Sequence, residues 1–276
     1  MILRKDNIFL LQTKGSSYFI QVLPSGHIEH IHYGASIISD KQYEEFLNSG
    51  QSESELLSDM AKVLGIKHKN EGGNMVVYSP ETYPLCLEVM PLEMSGFGKG
   101  DIREPMVELT FEDGSSTCDF LFESAEISDE LTALKTLPCS YNDGEDKAKQ
   151  LVITLKDTGY DIRLKMIYKV YPECDTITRS AVLINDGNAK VKINRLLSNQ
   201  IDFQTVGYQL TSFHGRWADE MGETTSVCNG GKVVNEDSNQ NRFLVVWKQP
   251  ERLQSCRGNT VPQEERRVLP PWRRWS

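Results

Sequence analysis

The 276-residue sequence predicts an all-β fold of antiparallel sheets with one short inserted helix. Three observations predict it. Short runs of alternating apolar and polar residues recur, separated by Gly, Asp, Asn and Pro clusters at intervals that leave no room for repeated crossover helices. Residues 151–203 read as consecutive antiparallel strands, which excludes a doubly wound parallel sheet. A single stretch carries convincing helical periodicity.

Taken in order, Tyr18, Ile20 and Val22 alternate with other residues, Pro24-Ser25-Gly26 can turn, and His27 to Tyr33 resumes extended, which makes a hairpin. Ser52 and Glu55 have capping-box spacing, and Leu56, Leu57, Met60, Ala61 and Leu64 share one helical face that Gly65 can close. This helix reads as an insertion packed on a sheet. Val107, Leu109 and Phe111 precede Glu112-Asp113-Gly114-Ser115, after which Cys118, Phe120 and Phe122 restore the two-residue period, predicting a second hairpin. Leu151–Leu155, Ile162–Val170, Thr176–Ile184 and Val191–Phe203, with turns at Asp157-Thr158-Gly159, Pro172–Asp175 and Asn185–Asn188, predict a four-stranded meander. Beyond Glu236 no periodicity persists for long. Residues 1–236 are therefore expected to form the folded domain, and 237–276 an unpatterned basic tail, disordered or out of frame.

The net charge of −9 is unevenly placed: residues 242–276 hold seven of the 13 arginines and, with Lys248 and three glutamates, carry +5. An acidic body repels phosphate backbones, so neither a nucleic-acid nor a membrane partner is expected. The longest purely apolar run, Phe243 to Trp247, is five residues, far below the roughly 20 that span a bilayer, and Ile8 to Leu11 is too short for a signal core. Six cysteines at least 21 residues apart lack the close pairs of a zinc site or redox dithiol. A cytoplasmic location with reduced thiols is the expectation.

Candidate chemistry is sparse. His30 and His32 would share one face of a strand, a spacing that can hold two metal ligands, although ordinary strand positions are the favoured reading. The carboxylate pairs Glu112-Asp113, Asp129-Glu130 and Asp219-Glu220 read as turn or surface residues. In Gly96-Phe97-Gly98-Lys99-Gly100-Asp101-Ile102-Arg103-Glu104-Pro105, three glycines deliver Asp101 and Arg103 just before a strand, where they could pair, bind a polar ligand or brace a domain contact. Trp217, after His214-Gly215-Arg216, could stack on a sugar or pack on a neighbour. The commonest hydrolase and nucleotide-binding motifs do not occur.

An ordered series of segments resembles the amino-terminal domain of glycoside hydrolase family 36, the bacterial α-galactosidases acting on melibiose and raffinose-type sugars. SSYFIQVLPSGHIEHIHYG at 16–34 resembles its opening hairpin, and Gly100-Asp101-x-Arg103-x-Pro105 its Gly-Asp-x-Arg-x-Pro segment. Leu137-Pro138 with Tyr141, LVITLKD at 151–157, DTITRSAVLINDG at 175–187, Ser198 to Phe203 and HGRWADE at 214–220 continue the series, which spans about Ile8 to Asn235. The resemblance implies an antiparallel β-supersandwich of the galactose-mutarotase kind. It also implies a parent enzyme that hydrolyses terminal α-linked galactose with retention, using no metal or organic cofactor, through two aspartates of a following (β/α)8 barrel. The Lys-Trp-Asp and Gly-Gly-rich Arg-x-Asp contexts of those aspartates do not occur here, so no catalytic residue carries over.

Three changes coincide near residue 236, where family landmarks, periodicity and acidic charge stop together. A frame change or an early gene end would produce that coincidence. The expected function is thus a non-catalytic sandwich domain, inactive alone, that contacts galactose-containing oligosaccharides through its parent enzyme and packs against the barrel and oligomer neighbours. Asp101, Arg103 and Trp217 are the candidates for those contacts. The alternatives are a freestanding carbohydrate-binding or interaction module and, since supersandwiches resemble sugar epimerases, a histidine and carboxylate pair built on His30 or His214.

Overall fold

The computed structural model describes residues 1–38, 45, 48–64, 78, 86–99, 101, 104–133, 140, 147–201, 208–216, 218–228 and 244–248. They fall in two compact units, Met1–Gln204 and Thr205–Ser276.

In the first unit, β1 (Ile2–Lys5), β2 (Ile8–Gln12), β3 (Ser16–Val22) and β4 (Ile28–Ala35) form an antiparallel sheet in chain order. The β3–β4 hairpin closes as expected: the Leu23 amide donates to His27 O at 2.8 Å and Gly26 takes φ +91°. On the helix, α1 (Glu53–Leu64), the capping box is formed, with Ser52 N donating to Glu55 Oε2 at 2.9 Å and Glu55 N to Ser52 Oγ at 3.3 Å. Leu57 and Met60 are buried with Leu3, Leu10, Phe19 and Ile38, so the helix covers one face of this sheet.

The other face packs on a second sheet. β6 (Phe120–Ser128), β7 (Lys149–Asp157), β8 (Ile162–Tyr171) and β9 (Thr176–Asn185) pair antiparallel in that order, while β5 (Val107–Phe111) and β10 (Val191–Leu196) form a separate ribbon. The main core draws Phe9, Tyr18 and Ile20 from the first sheet, Leu151, Ile153, Leu164 and Tyr168 from the second, and Val107 and Leu109 from the ribbon. The fold is the antiparallel β-sandwich that the sequence predicts, and the predicted helix is present as α1.

Two pairings differ from expectation. β5 and β6 are not a hairpin, because the glycine-rich segment lies between them: Phe97 N donates to Val107 O at 3.3 Å, and Cys118 N donates to Phe97 O at 2.9 Å. Gly96 and Gly98 permit this wedge, since a Cβ on Gly98, at φ +99°, would lie 2.8 Å from Thr117 Oγ1. The predicted meander keeps its first three strands, but its fourth, β10, leaves the sheet and pairs with β5, Val191 facing Phe111 and Leu196 facing Val107. Periodicity reports which face is buried and is silent about the partner.

The second unit holds β11 (Tyr208–Arg216), β12 (Asp219–Cys228) and β13 (Leu244–Lys248), in the order β12-β11-β13. β13 lies within the segment expected to be unpatterned. It comprises most of the apolar run Phe243–Trp247, whose Val245 and Val246 suit an extended backbone. Among the described residues no helix is long and apolar enough to cross a membrane, and Cys86, Cys118, Cys174 and Cys228 are free thiols.

Candidate functional site

Charge is concentrated in the middle of the sandwich. Residues 91–93 run beside β4, with His30 N donating to Pro91 O at 2.6 Å and Glu93 N to Ile28 O at 2.9 Å, which drives Glu93 between the sheets. There its fully buried carboxylate meets the Arg179 guanidinium of β9 at 2.9 Å, His30 Nδ1 of β4 at 3.1 Å, and the hydroxyls of Tyr18 (β3) and Tyr168 (β8) at 2.7 and 2.6 Å. Burial pushes the Glu93 pKa up, but the Arg179 charge and the bonds from His30 and Tyr168 outweigh it and hold the group below its usual range. Arg179 also reaches Glu93 O at 2.7 Å, Gln200 O at 2.9 Å and Asn199 Oδ1 at 2.8 Å. Gln200 Oε1 in turn accepts from Ser95 N at 3.1 Å. The arrangement ties both sheets to the segment leading into the glycine-rich wedge. Glu93 is an ionised brace between the sheets.

A second cluster sits near the β3–β4 hairpin. Asp119, just before β6, is buried with Oδ1 3.2 Å from His27 Nε2, while Oδ2 accepts from Tyr78 Oη at 2.9 Å and Thr158 Oγ1 at 3.3 Å and lies 3.7 Å from Lys99 Nζ. The Asp157 carboxylate accepts the Asp119 amide at 2.7 Å. Burial raises the Asp119 pKa, and the bonds from His27 and Tyr78 more than reverse it.

The residues singled out in the sequence are dispersed. Asp101 is buried at the end of the wedge, whereas Arg103 and Trp217 lie outside the described residues. His30 and His32 do not share a face, because Ile31 is the extra residue of a β-bulge: Ile20 faces His30, and Phe19 faces His32. His30 therefore joins the inter-sheet core, while His32 turns to the side of Phe19 and approaches Ala35 O at 3.5 Å. His214 is exposed, its Nδ1 3.4 Å from Thr224 Oγ1. Asp113 accepts the Ser115 amide at 2.9 Å within its own turn and the Tyr160 hydroxyl at 2.8 Å, and Glu112 accepts the Lys190 amide at 3.0 Å. Sequence reasoning missed Glu93, Arg179 and Asp119. Their signal is a charge inside an apolar run, as in Pro91-Leu92-Glu93-Met94 or Thr178-Arg179-Ser180-Ala181-Val182.

The profile of the glycosyl hydrolase family 36 N-terminal domain matches residues 26–242. The chain belongs to this family. Among its relatives, the bifunctional alpha-galactosidase/sucrose kinase AgaSK of Mediterraneibacter gnavus is 29% identical over 225 residues, covering 81% of this chain and 22% of the relative. Alpha-galactosidase AgaA of Geobacillus stearothermophilus is 25% identical over 216 residues, covering 77% and 26%. The crystal structure of the family 36 alpha-galactosidase AgaB from Geobacillus stearothermophilus superimposes with a TM-score of 0.69 at 23% identity, over 84% of this chain and 29% of that one. The family 36 sandwich thus spans less than a third of the length of these relatives.

Proposed function

We propose that this chain serves as the non-catalytic amino-terminal sandwich of an α-galactosidase-type glycoside hydrolase, inactive in isolation. The parent activity would be retaining hydrolysis of terminal α-D-galactosides, with galactose-containing oligosaccharides as substrates and the cytoplasm as location. The observation that carries this reading is the match of family 36 across residues 26–242, with relatives named as alpha-galactosidases. The site geometry agrees with a supporting role. The buried carboxylates Glu93 and Asp119 are engaged by internal donors, and a glycosidase needs two carboxylates open to a sugar, about 5–9.5 Å apart.

In this reading residues 1–236 are the sandwich, with the contribution of 237–276 beginning at β13. Asp101, Arg103 and Trp217 are the residues assigned to contacts with the substrate rim, a catalytic barrel or an oligomer neighbour. The glycine-rich wedge leading to the buried Asp101 is held between β5 and the approach to β6. The test is an assay of the purified chain with an aryl α-galactoside and a titration with galactose, melibiose and raffinose. Neither turnover nor saturable binding is the expected result. Robust turnover would overturn the non-catalytic assignment, and saturable binding would make the chain a carbohydrate-binding module in its own right.

A further inference from the structure

The imidazole of His27 is bracketed by a hydroxyl on one nitrogen and a buried carboxylate on the other. Ser25 Oγ lies 3.0 Å from Nδ1, and Asp119 Oδ1 lies 3.2 Å from Nε2. An ionised carboxylate can only accept, so of the two neutral tautomers Asp119 selects the one with hydrogen on Nε2, which turns the Nδ1 lone pair toward Ser25. A serine two residues from a histidine often makes a local contact. What distinguishes this one is the carboxylate behind the ring, itself held by Tyr78 and Thr158, with the Tyr78 ring edge-on to the imidazole at 4.5 Å. Ser25 is only half-buried at the tip of the hairpin, whereas His27 and Asp119 behind it are buried.

We propose that Ser25 is an activated nucleophile that accepts an acyl group from small carboxylic esters, with His27 as general base and Asp119 as its positioning residue. Nucleophile, base and orienter are recognised by geometry and role rather than by chain order. Ser25 Oγ attacks the ester carbonyl carbon as its proton passes to His27 Nδ1. The tetrahedral oxyanion collapses, the bond to the alcohol oxygen breaks, and His27 returns the proton to that oxygen. Water then attacks the acyl-serine with His27 again taking the proton, and Ser25 leaves reprotonated, releasing the carboxylic acid. This inference does not rest on the role proposed for the domain, whose inactivity concerns α-galactosides.

The test treats the full chain with diisopropyl fluorophosphate and maps the adduct by mass spectrometry, alongside hydrolysis of p-nitrophenyl acetate. The expected result is an adduct on Ser25 formed about 100-fold faster than on any other serine, the scale of general-base assistance. Ser25→Ala, a change at a half-exposed turn position, should abolish adduct and ester hydrolysis at an unchanged melting temperature, and His27→Gln should slow both to the level of an ordinary serine. The positioning role of Asp119 is read from the imidazole nitrogen shifts of His27, which report Nε2–H in the native chain and a tautomer mixture in Asp119→Asn. A Ser25 that reacts no faster than other serines, or at a rate unaffected by His27→Gln, would overturn the proposal.

Discussion

Glu93 brings a full negative charge to the centre of the sandwich, where desolvating a carboxylate costs several kcal/mol unless donors surround it. Arg179, His30, Tyr18 and Tyr168 supply them from β9, β4, β3 and β8, so one side chain fixes the relation of both sheets. Glu93→Gln leaves Arg179 buried without its counter-charge and should cost about 3–5 kcal/mol in urea unfolding. Glu93→Gln combined with Arg179→Met should recover more than half of that loss, because neither charge then remains. The folded pKa of Glu93 lies below the ordinary 4.5, so its contribution is complete above that value and is lost as pH falls through the folded one. Glu29 has the opposite sign. Burial raises its pKa to about 7, so the native state binds the extra proton between pH 4.5 and 7 and stability declines as pH rises through that window. Glu29→Gln should flatten the stability profile from pH 5 to 7 and raise the melting temperature at pH 8.

At the scale of elements, the glycine-rich wedge decides how β5 and β6 are connected, and its two requirements can be separated. Gly114, at φ +84°, has open space where a Cβ would stand, whereas Gly98, at φ +99°, has Thr117 Oγ1 at 2.8 Å. Gly114→Ala should therefore cost only the backbone strain, about 1–2 kcal/mol. Gly98→Ala should cost clearly more and lower the melting temperature further, since it adds a collision that would move Phe97 off Val107 and Cys118. The same contrast explains what was legible in the sequence. The β3–β4 hairpin and α1 were readable because their signals are local: Pro24-Ser25-Gly26 makes the turn, and Ser52 and Glu55 cap each other within one helical turn. The β5–β6 hairpin was not, because residues 96–98 enter between strands that begin nine and 22 residues after Gly98, and no periodicity within Val107–Phe122 encodes that visitor. The facing of His30 and His32 failed for a related reason: a single bulged residue, Ile31, inverts the alternation on which the expectation rested. The Glu93–Arg179 pair spans 86 residues in sequence and becomes visible once an isolated charge in an apolar run is treated as a demand for a distant partner.

On the whole molecule, exposed apolar side chains gather where the ribbon meets the wedge. Ile193 and Leu197 are 54% and 46% exposed, and Phe97, whose amide reaches Val107 beside them, is 45% exposed. Within the described residues β10 pairs on one side only, with β5, so its other edge offers unpaired backbone groups along the same patch. Soluble proteins usually guard such an edge with charge. Here Lys192 and Arg195 partly do so, and Arg195 is turned back onto Glu104 and Pro105 O, which weakens the guard. The chain is therefore expected to self-associate at micromolar concentration through this ribbon. Sedimentation velocity should show a weight-average mass that rises with loading concentration. Ile193→Lys with Leu197→Lys, both at exposed positions, should return it to the monomer value while leaving the melting temperature within about 2 °C, since surface substitutions usually stay within ±0.5 kcal/mol. A wild-type chain that sediments as a monodisperse monomer across a hundredfold range of concentration would show instead that the two cations, the short strand and its twist are sufficient to protect the edge.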